Sequence, residues 1–166
     1  MINLKSILVP SDFSECSDEA LRYALELARR FDAELHLLHV VQDPITQPWA
    51  AEGFSVPLFE IVDEWQKQAM ARLKAAVPEA DRARVTVVSV VATPYAEILD
   101  YANAHRIDLI VMGTHGRGGV THMLLGSIAE RVVRRAPCPV LTVRRPQHGF
   151  VETDTIAVAA TAAATG

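Results

Sequence analysis

Aromatic side chains are scarce in this 166-residue chain, at 6% of residues. The 50% hydrophobic share must therefore come mostly from Val, Leu, Ile and Ala, which suits one globular domain with a sizeable aliphatic core. Cysteine is scarcer still. Cys16 and Cys138 lie far apart, with no CxxC and no histidines at metal-ligand spacing, so the chain reads as one kept reduced. There is no basic run, and the net charge is −4, so nothing draws the chain toward nucleic acid or acidic membranes. No apolar run approaches the length of a transmembrane helix. The apolar stretch in "MINLKSILVPSDF" is shorter than a signal h-region and lacks a small-residue cleavage site. The expectation is a soluble cytoplasmic protein with no nucleic-acid or membrane partner.

What is present is a regular alternation. Short apolar runs rich in β-branched residues occur at 6–10 ("SILVP"), 33–41, 85–92, 108–113 and 139–145. "LIVM" and "VVSVV" barely alternate, as expected of strands buried on both faces of a parallel sheet. Between the runs lie four segments of helical period. The first, 15–31, has Ser14 as a candidate N-cap, Glu15, Asp18 and Glu19 in its first turn, and Arg29 and Arg30 in its last. The second, 57–77, carries the stripe Val62, Trp65, Ala69 and Leu73, with Trp65 expected in the core. The third begins at Thr93-Pro94, and the fourth runs from Gly126-Ser127 to before Pro137. This βαβαβαβαβ order predicts an α/β fold: an open five-stranded parallel sheet with right-handed crossovers and helices on both faces. Residues 42–56 read as a long loop. Residues 147–166, after a domain over 1–146, read as a low-complexity tail.

"VMGTHGRGGVTHMLLGSIAERV" (111–132) connects the fourth strand to the fourth helix and contains five glycines. Unpaired N–H groups and the helix dipole favour an anion at such a junction, and glycines let a phosphate approach the backbone. Ser127 adds a hydroxyl, and His115, Arg117 and His122 stand at the rim. No Gly-Lys-Ser/Thr follows, so this is not a P-loop, and the glycine spacing is not that of a dinucleotide fingerprint. The plain alternative is an ordinary strand-to-helix turn. Against it stands the position, at the carboxyl edge where such sheets bind ligands.

Gly113, Gly116, Gly126 and Ser127 form G-x2-G-x9-G-S. With "ILVPSDFSECSDEALRYALELA", "LHLLHVV", "DLIVMGTHGRGG" and "VVRRAPCPVLTVR", this pattern makes the chain resemble the universal stress protein family over residues 2 to about 145. The resemblance implies an adenine nucleotide alpha hydrolase-like sheet of strand order 3-2-1-4-5, and the glycine pattern implies the ATP-binding subgroup. It implies that Pro10 lines the pocket, Asp12 stands near ribose and phosphates, and Val40 meets adenine through its backbone. Met112 and Gly113 would flank the nucleoside, while Gly116, Gly126, Ser127 and Ile128 would hold the phosphates. The implied ligand is ATP with Mg²⁺ on the phosphates, with AMP or cyclic AMP left open. The implied assembly is a homodimer through antiparallel pairing of strand 139–145. Ala92 departs from the family pattern, where many members have glycine before x-Pro.

Three functions stay open at this point: a nucleotide-dependent stress-response module, a slow ATPase or phosphoryl-transfer enzyme, and a nucleotide-independent interaction module. The enzyme needs a base and cationic stabilisation, for which Asp12, His115, His122 and Arg117 are the nearby candidates. His36 and His39, three apart on a strand, point to opposite faces and read as satisfied polar positions. Cys16 reads as a packed cysteine, although a helix first turn can lower a thiol pKa; Cys138 reads as buried. Trp49 falls in the long loop, where the sequence leaves open whether it covers the nucleotide or a partner surface.

Overall fold

The computed structural model describes residues 2–42, 58–114 and 125–144. The elements are β1 (Ser6–Pro10), α1 (Glu15–Phe31), β2 (Glu34–Gln42), α2 (Leu58–Ala76), a 3₁₀ turn (Glu79–Asp81), β3 (Val85–Ala92), α3 (Pro94–Ala104), β4 (Leu109–Gly113), α4 (Ser127–Arg135) and β5 (Val140–Val143). The five strands form one parallel sheet in the order β3-β2-β1-β4-β5. This is the architecture expected from the alternating runs.

The absence of hydrophobic alternation in β1 follows from burial on both sides. Ile7 and Val9 join Ala20, Ala24, Ala28 and Leu73 in a core beneath α1 and α2. Leu8 between them joins Ile98, Ala102, Ala129 and Val132 beneath α3 and α4. Each face therefore carries two helices. A fully buried aliphatic side chain of this kind contributes about 1.5–3 kcal/mol, so both faces are needed to hold so small a sheet.

Helix α1 begins where Ser14, in extended conformation, accepts a hydrogen bond from the Ser17 N–H at 3.3 Å. It ends at Asp32, whose φ of 52° turns the chain out of the helix into β2. The acidic first turn and basic last turn suit the macrodipole. On the α2 side, the buried Asp81 carboxylate accepts from Arg29 Nε at 3.0 Å and Nη2 at 2.5 Å, tying the 3₁₀ turn to α1.

His36 and His39 behave as satisfied polar groups on opposite faces. His36 Nδ1 lies 2.9 Å from the Tyr101 hydroxyl on the α3 side. His39 Nδ1 donates to the Ser11 carbonyl at 2.7 Å on the α1 side, because a carbonyl can only accept. Burial pushes the His36 pKa down, helped by His105 and opposed by Glu34. Cys138 is only partly buried, and burial pushes its thiol pKa up.

Candidate functional site

The chain moves from β1 to β2 to β3 in one direction, then crosses back to β4 and β5. The reversal leaves a crevice at the carboxyl ends of β1 and β4, the position where open α/β sheets bind ligands. A cleft of about 870 Å³ occupies it. Its walls come from the ends of β1, β2 and β4, the β1–α1 turn, one face of α2, and the starts of α3 and α4.

The β1–α1 turn is built by short polar side chains. Ser11 N–H donates to the Leu38 carbonyl at 2.8 Å, holding the turn against β2. Asp12 Oδ1 accepts from both the Ser14 N–H at 3.1 Å and the Ser14 hydroxyl at 2.5 Å. The helix cap and the acidic residue of the cleft are thus one unit: Ser14 caps, and Asp12 orients Ser14. Between them Phe13 has φ of 62°, a left-handed conformation costly for an aromatic residue. Its ring meets His39 with centroids 4.4 Å apart and lies 3.9 Å from the Arg72 guanidinium carbon.

On the other side of the sheet, α4 opens into the cleft. Gly126 is its N-cap, and Gly126 C=O accepts the first intrahelical bond, from Glu130 N–H at 2.9 Å. The N–H groups of Ser127, Ile128 and Ala129 precede that bond, and no side chain caps them. These donors and the Ser127 hydroxyl form an anion-accepting edge. Thr114, buried at the end of β4, fixes its position: its N–H donates to Val143 C=O at 2.9 Å and its C=O accepts from Gly126 N–H at 2.7 Å.

That last bond bears on one role implied by the resemblance: here the Gly126 N–H donates to the Thr114 carbonyl. Gly126 also has φ −68° and ψ 156°, which any residue adopts, so its turn does not require glycine. Gly113 is a glycine for another reason. A Cβ there would stand 2.8 Å from the carbonyl carbon of Cys16 and 2.9 Å from its Cβ. The missing side chain makes room for α1.

Eight residues singled out from the sequence, Pro10, Asp12, Val40, Met112, Gly113, Gly126, Ser127 and Ile128, line this one cleft. Gly116 lies outside the described residues, as do His115, Arg117, His122 and Trp49. The sequence reading missed Phe13, His39, Gln68 and Arg72, and it misplaced Trp65. Trp65 is 42% exposed and lines the cleft. Of its stripe, Ala69 and Leu73 are buried, while Trp65 stands in the cleft wall. The available signal was the spacing of Trp65, Gln68, Ala69 and Arg72, which places all four on one helix face.

The sequence matches a known family model, described as the universal stress protein family, over residues 3–144. The chain belongs to the universal stress protein family. It is 36% identical over 143 residues to universal stress protein MJ0531 of Methanocaldococcus jannaschii, covering 86% of this chain and 84% of that one. The solved structure of MJ0577, a universal stress protein of the same organism, superimposes with a TM-score of 0.75 at 28% identity, covering 89% of this chain and all of that one. A universal stress protein solved in complex with cAMP shares the fold at 24% identity and a TM-score of 0.57, covering 86% of this chain and 98% of that one.

Proposed function

We propose that this universal stress protein binds an adenine nucleotide in the crevice and uses occupancy to bias a regulatory surface. ATP is the leading ligand, and AMP or cyclic AMP is the alternative. The observation that carries the reading is the opening of α4 into the cleft, with N–H groups of Ser127 and Ile128 and the Ser127 hydroxyl at one edge. Backbone donors and a positive dipole end suit phosphate without a lysine. Val40 would read the base through its backbone, while Met112 and Pro10 supply apolar walls. The fold's capacity to hold an adenine nucleotide is consistent with the cAMP complex described above.

Among the described residues, Asp12 is the single carboxylate lining the cleft and no group of three metal-ligating side chains occurs. Mg²⁺ fits this setting only as a companion of the phosphates, taking most of its ligands from them and from water. It would neutralise phosphate charge. The chain's own residues position the nucleotide, and the reading requires no turnover.

Strand β5 is an edge of the sheet, and Leu141 upon it is 37% exposed. An apolar parallel-sheet edge is a template for another strand, so a homodimer through β5 belongs to the same proposal. The test of binding is calorimetric titration with Mg·ATP for the native chain and for Gly126→Val. The Gly126 backbone conformation is one valine adopts, so the substitution adds bulk beside Ser127, and circular dichroism checks that the variant folds. Loss of heat in the variant supports the reading; equal affinity rejects it.

A further inference from the structure

Helix α2 belongs to the sheet face opposite α4, yet both line the same cleft. On the reading just given, a nucleotide anchored by its phosphates at α4 points its other end across the sheet edge toward α2. There Trp65, Gln68, Ala69 and Arg72, spaced i, i+3, i+4 and i+7, present a continuous helix face to the cleft. We propose that this face is the base-binding wall of the site, where the planar base of the nucleotide stacks against Trp65 and the Arg72 guanidinium.

Three observations carry the assignment. Trp65 exposes a large aromatic surface inside a cleft, although its chemistry favours burial. Arg72 has no carboxylate partner among the described residues, but it is not loose: its guanidinium carbon sits 3.9 Å from the Phe13 ring centroid. A guanidinium ordered on an aromatic ring is itself a planar stacking surface. Finally, Phe13 keeps its left-handed conformation where its ring meets both His39 and Arg72, so backbone strain is concentrated where the platform is assembled. Ala69 between them is small, leaving depth for a ring. The ligand class this selects is one with a flat heteroaromatic base, in preference to a bare polyphosphate or a sugar phosphate.

The test compares three probes by calorimetry: Mg·ATP, adenosine and inorganic tripolyphosphate. In Trp65→Ala and Arg72→Ala, ATP and adenosine should weaken by a common factor of roughly 5- to 150-fold, as expected for a lost base-stacking contact. Trp65→Phe should recover most of the Trp65 effect, and tripolyphosphate binding should not change. Both native side chains are exposed, and circular dichroism checks that the variants stay folded. Native affinity for ATP in both alanine variants overturns the proposal while leaving the nucleotide reading intact. Weakened ATP with unchanged adenosine also overturns it, because it moves Arg72 to the phosphates. A native chain that binds neither ATP nor adenosine removes the nucleotide reading and this wall with it.

Discussion

Replacing Gly113 by alanine drives a methyl group into the first turn of α1. The added Cβ would lie 2.8 Å from the Cys16 carbonyl carbon, 2.9 Å from its Cβ and 3.0 Å from its carbonyl oxygen. Two of those three atoms are backbone, so no side-chain rotation relieves the clash. Nor does β4 have an easy retreat, because it is paired to β1 on one side and β5 on the other, with Gly113 itself opposite Val143. Either α1 lifts or the end of β4 bends. Overpacking of this kind costs about 1–3 kcal/mol. At roughly 2–4 °C per kcal/mol for a domain of this size, the melting temperature should fall by about 2–12 °C. Urea denaturation and thermal scans of Gly113→Ala measure both quantities. Adding Cys16→Gly should not restore stability, since the two backbone contacts remain. Gly126→Ser is the contrast: it introduces a good N-cap at a conformation serine adopts, so stability should hold or rise slightly. A Gly113→Ala protein melting within 1 °C of the native chain would refute the packing argument.

Two further outcomes are expected. The His36 pKa is pushed below its ordinary value of about 6.5, so just below that pH the unfolded chain binds a proton that the folded chain refuses. Stability linked to His36 is therefore present above pH 6.5 and is lost as pH falls below it; His36→Gln should flatten this slope in pH-dependent denaturation, and identical slopes would contradict it. In light scattering at micromolar concentration the native chain should have twice its chain mass, and Leu141→Lys on the exposed edge of β5 should shift it toward one; a monomeric native chain would rule out the dimer.

Much of the fold was legible because burial on both faces leaves a plain mark. The unalternating runs of β1 and β4, the Ser14 cap and Pro94 at the start of α3 each locate an element by local chemistry. The equally unalternating β3 is a sheet edge with only Ser89 buried, so its expected burial on both faces does not hold. Ends were less legible: β5 is limited to Val140–Val143, shorter than its apolar run, because pairing with β4 ends at Gly113. The cleft was legible where residues follow strand ends, as Pro10, Asp12, Val40 and Met112 do. It was illegible where tertiary placement decides. Trp65 fits a core stripe by spacing, and only the tertiary placement of α2 brings it to the cleft. The glycine pattern concealed a division of labour as well. Gly113 is set by the approach of α1, while the N–H of Gly126 is claimed by Thr114, and neither follows from spacing along the chain.

The most direct measurement is the nucleotide content of the protein purified without added ligand, released by denaturation and identified by mass and stoichiometry. The account predicts an adenine nucleotide near one per chain, present in the native protein and absent from Gly126→Val. An empty native protein that also gives no heat with ATP, AMP or cyclic AMP would contradict it, and the α4 edge would then be only a strand-to-helix turn.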